Sequence, residues 1–189
     1  MEGTRESART GATHRRWPSP ALRFEGSCRA PADAVYDLLA DLQSHMEWAG
    51  TRQSETTRLL SMQAPEGPAR VGTEFHTTGS DGKVARWSDR SVVTEATRPA
   101  VFEFVTEGRR ESKPGRMPWD TTAVHRYEID PQADGCRVTF TEELTRLEGA
   151  PWLMTAPGIS RLVWRMAAKY MHRGFDALLA LAEERSGLR

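Results

Sequence analysis

The sequence predicts an α+β fold made of one strand, a pair of short helices, six further strands and a long C-terminal helix. Three observations carry that prediction. Between residues 51 and 147 apolar and polar positions alternate, and the runs are separated by the turn-forming clusters "APEGP", "GSDG", "ATRP" and "PQADG". From Thr155 to about Arg185 the apolar residues instead recur every three or four positions. A shorter stretch with the same helical spacing, Val35, Leu38, Leu39 and Leu42, lies ahead of the strands.

Residues 1–19 are polar, rich in Gly, Ser and Thr, and lack periodicity, which predicts a disordered tail ahead of one domain at 20–189. In "ALRFEGSCR" (21–29), Leu22, Phe24 and Gly26 alternate with Arg23, Glu25 and Ser27, as in a half-buried strand. Pro31 then suits a first helical turn, with Ala30 a poor cap before it. A second short helix is expected to reach Trp48 and to stop at Gly50. Further strands are expected near 53–61, 70–78, 84–95, 100–107, 120–130 and 136–146, with a longer basic loop, "EGRRESKPGRMP", at 107–118.

For the last helix Thr155 suits the N-cap, Pro157 the first turn, and Gly187 the position just past the end. Ile159, Leu162, Met166, Tyr170, Ala177, Leu178 and Leu181 form an apolar stripe, and Arg161, Arg165, Lys169 and Arg173 a polar one opposite. Trp164, Met171 and Phe175 widen the apolar side, so burial is expected over more than half the circumference. Gly174 costs about 1 kcal/mol against Ala in a helix interior. It suits either a bend or a close approach to the sheet.

The 189 residues fit one domain with a sizeable core. The formal net charge of zero supplies no global field toward nucleic acid or an anionic membrane. Apolar stretches fall short of the ~18–20 residues that span a bilayer, so no stable membrane insertion is expected. The N-terminus lacks the apolar core of a secretory signal, and Cys28 and Cys136 are too few for a disulfide scaffold, so a cytoplasmic protein is expected. The 23 Arg against 3 Lys, the two Ile and the lack of Asn point to a G+C-rich bacterial genome. No nucleotide-binding, nucleophile-elbow or zinc-protease motif occurs, and no two histidines share a metal-ligand spacing, so neither metal nor cofactor is expected.

Four stretches resemble the START-like, or SRPBCC, superfamily, which includes polyketide cyclase/dehydrase and lipid-transport relatives. "APADAVYDLLADLQSHMEWAG" is similar to its opening helix pair, and "RVGTEFHT" to its third strand. "WSDRSVVTEATRPAVFEFVTEG" is similar to its fourth and fifth strands, and "YEIDPQADGCRVTFTEEL" matches the sixth and seventh. The resemblance implies a helix-grip fold: a curved seven-stranded antiparallel sheet wrapped around the long C-terminal helix, with a cavity between them that holds an apolar or aromatic small molecule. It also makes the first and seventh strands neighbours, which brings Cys28 and Cys136 together as reduced thiols. The family has no single catalytic motif, so it assigns no catalytic residue.

The candidate site follows from strand parity. If Ile129 faces Val138 across the "DPQADG" turn, Tyr127 faces Phe140 and His125 faces Glu142; a slip of one would drive Arg126 and Glu128 into the core. Side chains directly opposed in this way have Cβ atoms about 4.5–5.5 Å apart, so a His125–Glu142 pair is sterically open. It would favour an imidazolium and either orient a ligand carbonyl or phenol or move a proton; the plainer reading, which buried polar groups usually follow, is that Glu142 satisfies a buried histidine. Tyr127 reads as core packing rather than as a general acid. Phe102 and Phe104 point inward, and with them Val93, Ser91, Asp89 and Trp87, although a strand-end carboxylate such as Asp89 is ordinarily solvated. The cavity is therefore expected to be lined by Trp87, Val93, Phe102, Phe104, His125, Tyr127, Phe140 and Glu142 from the sheet and by Met166 and Tyr170 from the helix.

Loops at one end of the sheet carry Met117, Trp119, Trp152 and Met154, which suit a cavity mouth. Arg109, Arg110 and Arg116 suit either an anionic ligand group or a solvated basic loop. No ordered basic stripe favours nucleic acid. Three function classes remain: a binder, possibly a carrier, of a small hydrophobic or aromatic molecule; a cyclase/dehydratase-type enzyme using His125 and Glu142 as acid and base; and a protein-interaction module. The oligomeric state is left open.

Overall fold

A computed structural model describes residues 21–55, 57–81, 85–112, 118–156 and 158–188. Seven strands form one antiparallel sheet: β1 (Leu22–Cys28), β2 (Thr57–Gln63), β3 (Glu74–Asp81), β4 (Ala85–Thr97), β5 (Val101–Ser112), β6 (Trp119–Gln132) and β7 (Gly135–Glu148). Their order is β1-β7-β6-β5-β4-β3-β2. Consecutive strands from β2 to β7 are neighbours, as short antiparallel connections dictate. β1 closes the sheet against β7, with Cys28 opposite Cys136 and Leu22 opposite Glu142. Between β1 and β2 lie α1 (Ala32–Ala40), a 3-10 turn (Leu42–Ser44) and a π turn (Met46–Thr51). After β7 come α2 (Trp152–Thr155) and α3 (Ile159–Arg185). The curled sheet and long terminal helix make the helix-grip fold.

The core fills one end of the concave face. Val93, Phe102, Ile129 and Val138 rise from the sheet to meet Val35, Leu38 and Leu39 of α1 and Phe175, Leu178 and Leu181 of α3, all nearly or fully buried. Gly26 sets how closely α3 approaches β1. A Cβ at that position would lie 2.6 Å from Leu179 Cδ1 and 3.0 Å from the Phe175 ring, so a larger residue would push the helix away. Cys28 Sγ donates to the Leu179 carbonyl at 3.6 Å. Both thiols are buried and neither is in a disulfide, and the Cys28 thiol together with burial pushes the Cys136 thiol well up. Gly174, by contrast, faces only the Gln53 side chain, at 3.5 Å.

Several expectations are corrected. Thr155 is not the N-cap of the long helix: it ends α2, its hydroxyl donating to the Trp152 carbonyl at 2.9 Å. The cap of α3 is Gly158, at φ +86°, a conformation that L side chains rarely adopt. The expected strand at 70–78 begins later, at Glu74, because Gly72 at φ +85° and the Thr73 N–H to Arg70 carbonyl bond make a turn first. The "loop" at 107–118 is strand as far as Ser112, so Arg109 and Arg110 belong to β5. The apolar stripe expected to be buried along the long helix also fails in its first half. Ile159, Leu162 and Met166 are exposed, while Trp164, Ala167, Ala168 and Met171 on the other side are half-buried. The tail at 1–19, Met117 and Arg116 lie outside the described residues.

Candidate functional site

Beyond the apolar core cluster, the other end of the concave face presents polar groups. Four adjacent strands each contribute one: Asp89 from β4, Arg110 from β5, His125 from β6 and Glu142 from β7. Register gives them the parity of the core residues. Val93 pairs with Phe104 and Phe104 with His125, while His125 pairs with Glu142, as the hairpin alternation predicts. Moving away from the core on β4 and β5, Asp89 pairs with Gly108 and Trp87 with Arg110.

Two strand glycines make room for these groups. A Cβ at Gly79 would sit 2.1 Å from the Trp87 indole, so the indole lies across β3 where a side chain would otherwise stand. A Cβ at Gly108 would sit 2.5 Å from Asp89 Oδ1 and 2.9 Å from Thr121 Oγ1. In that space Arg110 Nη1 donates to Asp89 Oδ1 at 2.6 Å, and the guanidinium lies 5.2 Å from the centre of the Trp87 ring. Asp89, left undecided by sequence, has a side chain only 11 % exposed, and Arg110 is an inward strand residue rather than part of a solvated loop.

His125 stacks on Phe104, with ring centres 4.7 Å apart, and lies 6.2 Å from Phe140. Its Nδ1 is 3.4 Å from Glu142 Oε2, and that oxygen is buried without a hydrogen-bond partner among the described residues. Burial pushes the Glu142 carboxyl up to about 7, with Asp89 adding to the rise and Arg110 opposing it. Burial, and then the Arg110 and His45 charges, push His125 down to about 3. Asp89 is raised by burial against the pull of Arg110. At neutral pH His125 is therefore an uncharged imidazole. Burial thus favours the uncharged imidazole, against the imidazolium that a neighbouring carboxylate alone would favour.

The expected lining residues divide into three groups. Val93 and Phe102 are fully buried in the packed core, with Tyr36 of α1 edge-on to Phe102 at 6.0 Å. Phe104, Tyr127 and Phe140 form the boundary between the core and the polar end, the last two with ring centres 4.7 Å apart. Trp87, His125 and Glu142 lie at the polar end itself, and Tyr170 is half-buried beneath Arg173. Met166 is 56 % exposed on the outer side of α3. Of the residues expected at a mouth, Trp119 faces Arg110 across β5 and β6, Met154 is half-buried and Trp152 is exposed. Sequence reasoning missed the Asp89–Arg110 pair, although Gly79 and Gly108 inside otherwise regular strands were the signal for it. His45 is a core histidine whose Nε2 meets the Leu39 carbonyl at 3.0 Å, and burial holds it down to about 4.

A hollow of about 420 Å³ on the opposite face of the sheet is lined by His76, Arg90, Glu107, Arg109, Asp120 and Arg146, among others. Its charges answer one another, Arg90 to Glu107 at 3.6 Å and Arg109 to Asp120 at 3.3 Å. The polar end of the concave face is the better candidate because its Glu142 Oε2 lacks a hydrogen-bond partner among the described residues. Among the described residues no group of three His, Cys, Asp or Glu side chains is placed to hold a metal ion, and no helix is long and apolar enough to cross a membrane.

Comparison with known proteins agrees with this geometry. A family model described as polyketide cyclase / dehydrase and lipid transport matches residues 22–185. No curated protein matches. Among solved structures, an uncharacterised protein of Rhizobium leguminosarum is 15 % identical with a TM-score of 0.64, covering 88 % of this chain and 95 % of its own. A conserved protein of Geobacillus kaustophilus is 15 % identical with a TM-score of 0.62, covering 87 % and 94 %. Ara h 8.0201 is 12 % identical with a TM-score of 0.56, covering 88 % and 99 %. Such identities speak to the fold alone.

Proposed function

The chain belongs to the polyketide cyclase/dehydrase and lipid transport family, and from that premise we propose that it binds a small hydrophobic or aromatic molecule in the basin between its sheet and α3. One observation carries the reading. The wall of Phe104, Tyr127 and Phe140 runs into a cluster of largely buried polar groups in which Glu142 Oε2, 3.4 Å from His125 Nδ1, has no hydrogen-bond partner among the described residues. An apolar surface with a few convergent polar groups is how small-molecule sites fix orientation, and an unanswered buried oxygen favours a guest that brings its own O–H or N–H. Trp87 and the Arg110 guanidinium supply flat surfaces for a ring.

The test is native mass spectrometry of the purified chain, followed by titration with 1-naphthol as an apolar probe that carries a hydroxyl. The reading predicts a saturable thermal shift that Glu142→Ala weakens by about tenfold in affinity, the scale of one hydrogen bond to a charged group. No retained compound and no shift with any apolar probe would end it.

A second reading is catalysis of the cyclase or dehydratase kind. The observation favouring it is the pair's geometry, His125 Nδ1 lying 3.4 Å from Glu142 Oε2, together with the rise of Glu142 to about 7, which suits it to exchange a proton near neutrality. Under this reading Glu142 gives and takes the proton, and the uncharged His125 orients it. His125→Gln would then abolish turnover while leaving affinity intact.

A further inference from the structure

The first half of α3 is apolar on two sides, and only one of them serves the fold. Trp164, Ala167, Ala168 and Met171 turn inward. On the far side Ile159, Leu162 and Met166 are 40, 62 and 56 % exposed, and Trp152, on the preceding α2, is 67 % exposed. Large apolar side chains projecting from a convex helix cost solubility and gain nothing within the monomer.

The charge around them is one-sided. From Gly149 to Phe175 the sequence has no carboxylate, and it carries Arg161, Arg165, Lys169 and Arg173. At 100° per residue the first three form a stripe beside Leu162 and Met166, not opposite them as expected above, while Arg173 continues the exposed face itself. Elsewhere arginines meet carboxylates, as in Arg29–Glu183, Arg98–Asp33 and Arg126–Glu103. None of these four cations has an ion-pair partner among the described residues. A net charge of zero over the whole chain thus conceals a local basic, apolar ridge.

We propose that this ridge docks on the surface of a bilayer containing anionic lipid. The helix would lie in the interface, with Leu162, Met166 and Trp152 among the acyl chains and the Arg161, Arg165 and Lys169 stripe at the headgroups. It does not span: the apolar face is a few turns long and stays attached to the domain. A convex ridge suits a deformable, planar partner, and the unpaired cations specify its charge. The inference is independent of what the basin holds.

The test is co-sedimentation of the full chain with vesicles of phosphatidylcholine alone and of phosphatidylcholine mixed with phosphatidylglycerol. Binding is expected to be at least about tenfold tighter to the mixed vesicles, to weaken as salt is added, and to fall about tenfold or more in the Leu162→Glu, Met166→Glu double variant. Both positions are exposed, so the double variant should keep its circular dichroism and melting temperature; Arg161→Glu with Arg165→Glu is the second variant should it not. Absence of binding, or equal binding to the two vesicle types, would overturn the proposal. So would a dimer in sedimentation equilibrium that the double variant dissociates, since the ridge would then be covered by a second copy.

Discussion

Glu142 is the residue at which the fold is most at odds with itself. Its carboxyl is held up to about 7 from an ordinary 4.5, chiefly by burial. At about 1.4 kcal/mol per unit, leaving it ionised costs on the order of 3 kcal/mol. Between these two pH values the folded chain keeps a proton that the unfolded chain has released. The stability Glu142 contributes is therefore complete below about pH 4.5 and lost as the pH rises through 7. His125 and His45, held down to about 3 and 4, act in the opposite sense: their contribution is complete above the ordinary 6.5 and lost as the pH falls through those lower values. Glu142→Gln removes only the first effect. Melting curves should show the Gln variant gaining on the parent as the pH rises from about 5 to 8; a difference that stays flat with pH would mean that Glu142 is solvated. The His125–Glu142 opposition itself was legible in the hairpin alternation, because a one-residue slip would have buried Arg126. The charge state was not legible, since it depends on desolvation, which no pairwise pattern encodes.

Among the elements, α3 is two helices in function. Its second half is clamped: Phe175, Leu178, Leu181 and Ala182 are buried, and Gly26 lets Leu179 reach β1. Its first half lies exposed along its outer side. Leu178→Ala should cost about 2–5 kcal/mol in urea unfolding, and Leu162→Ala no more than about 0.5 kcal/mol; similar losses would mean that the first half is as firmly packed as the second. Reading one apolar stripe from Ile159 to Leu181 correctly gave a helix of the right extent but oriented its first half wrongly. A 3.6-residue period identifies an apolar face, yet here Trp164 with Met171 and Leu162 with Met166 make two, and only tertiary contact decides between them. The strands were more legible, because their period of two leaves a single buried parity once Phe102 and Phe104 fix it. Strand ends were less so: turn chemistry at Gly72 and the continuation of β5 through Arg109 and Arg110 depend on backbone geometry and cross-strand pairing.

At the scale of the molecule, the sheet is graded from one end to the other. Where α1 and the second half of α3 cover it, Val93, Phe102, Ile129 and Val138 are packed solid. Beyond the wall of Phe104, Tyr127 and Phe140 the same parity yields Asp89, Arg110, His125 and Glu142. A fold needs the first zone for stability; the second departs from that need, and buried polar groups left short of partners are where function is to be sought. The central claim is that this polar end receives a guest, and the most direct measurement is an amide and side-chain NMR titration of the full chain with 1-naphthol. The account predicts saturable shifts confined to Trp87, Asp89, Arg110, His125, Glu142 and the inward side of α3 from Trp164 to Met171. Shifts confined instead to the ion-paired hollow around Arg90 and Arg109, or no shifts at saturating probe, would contradict it.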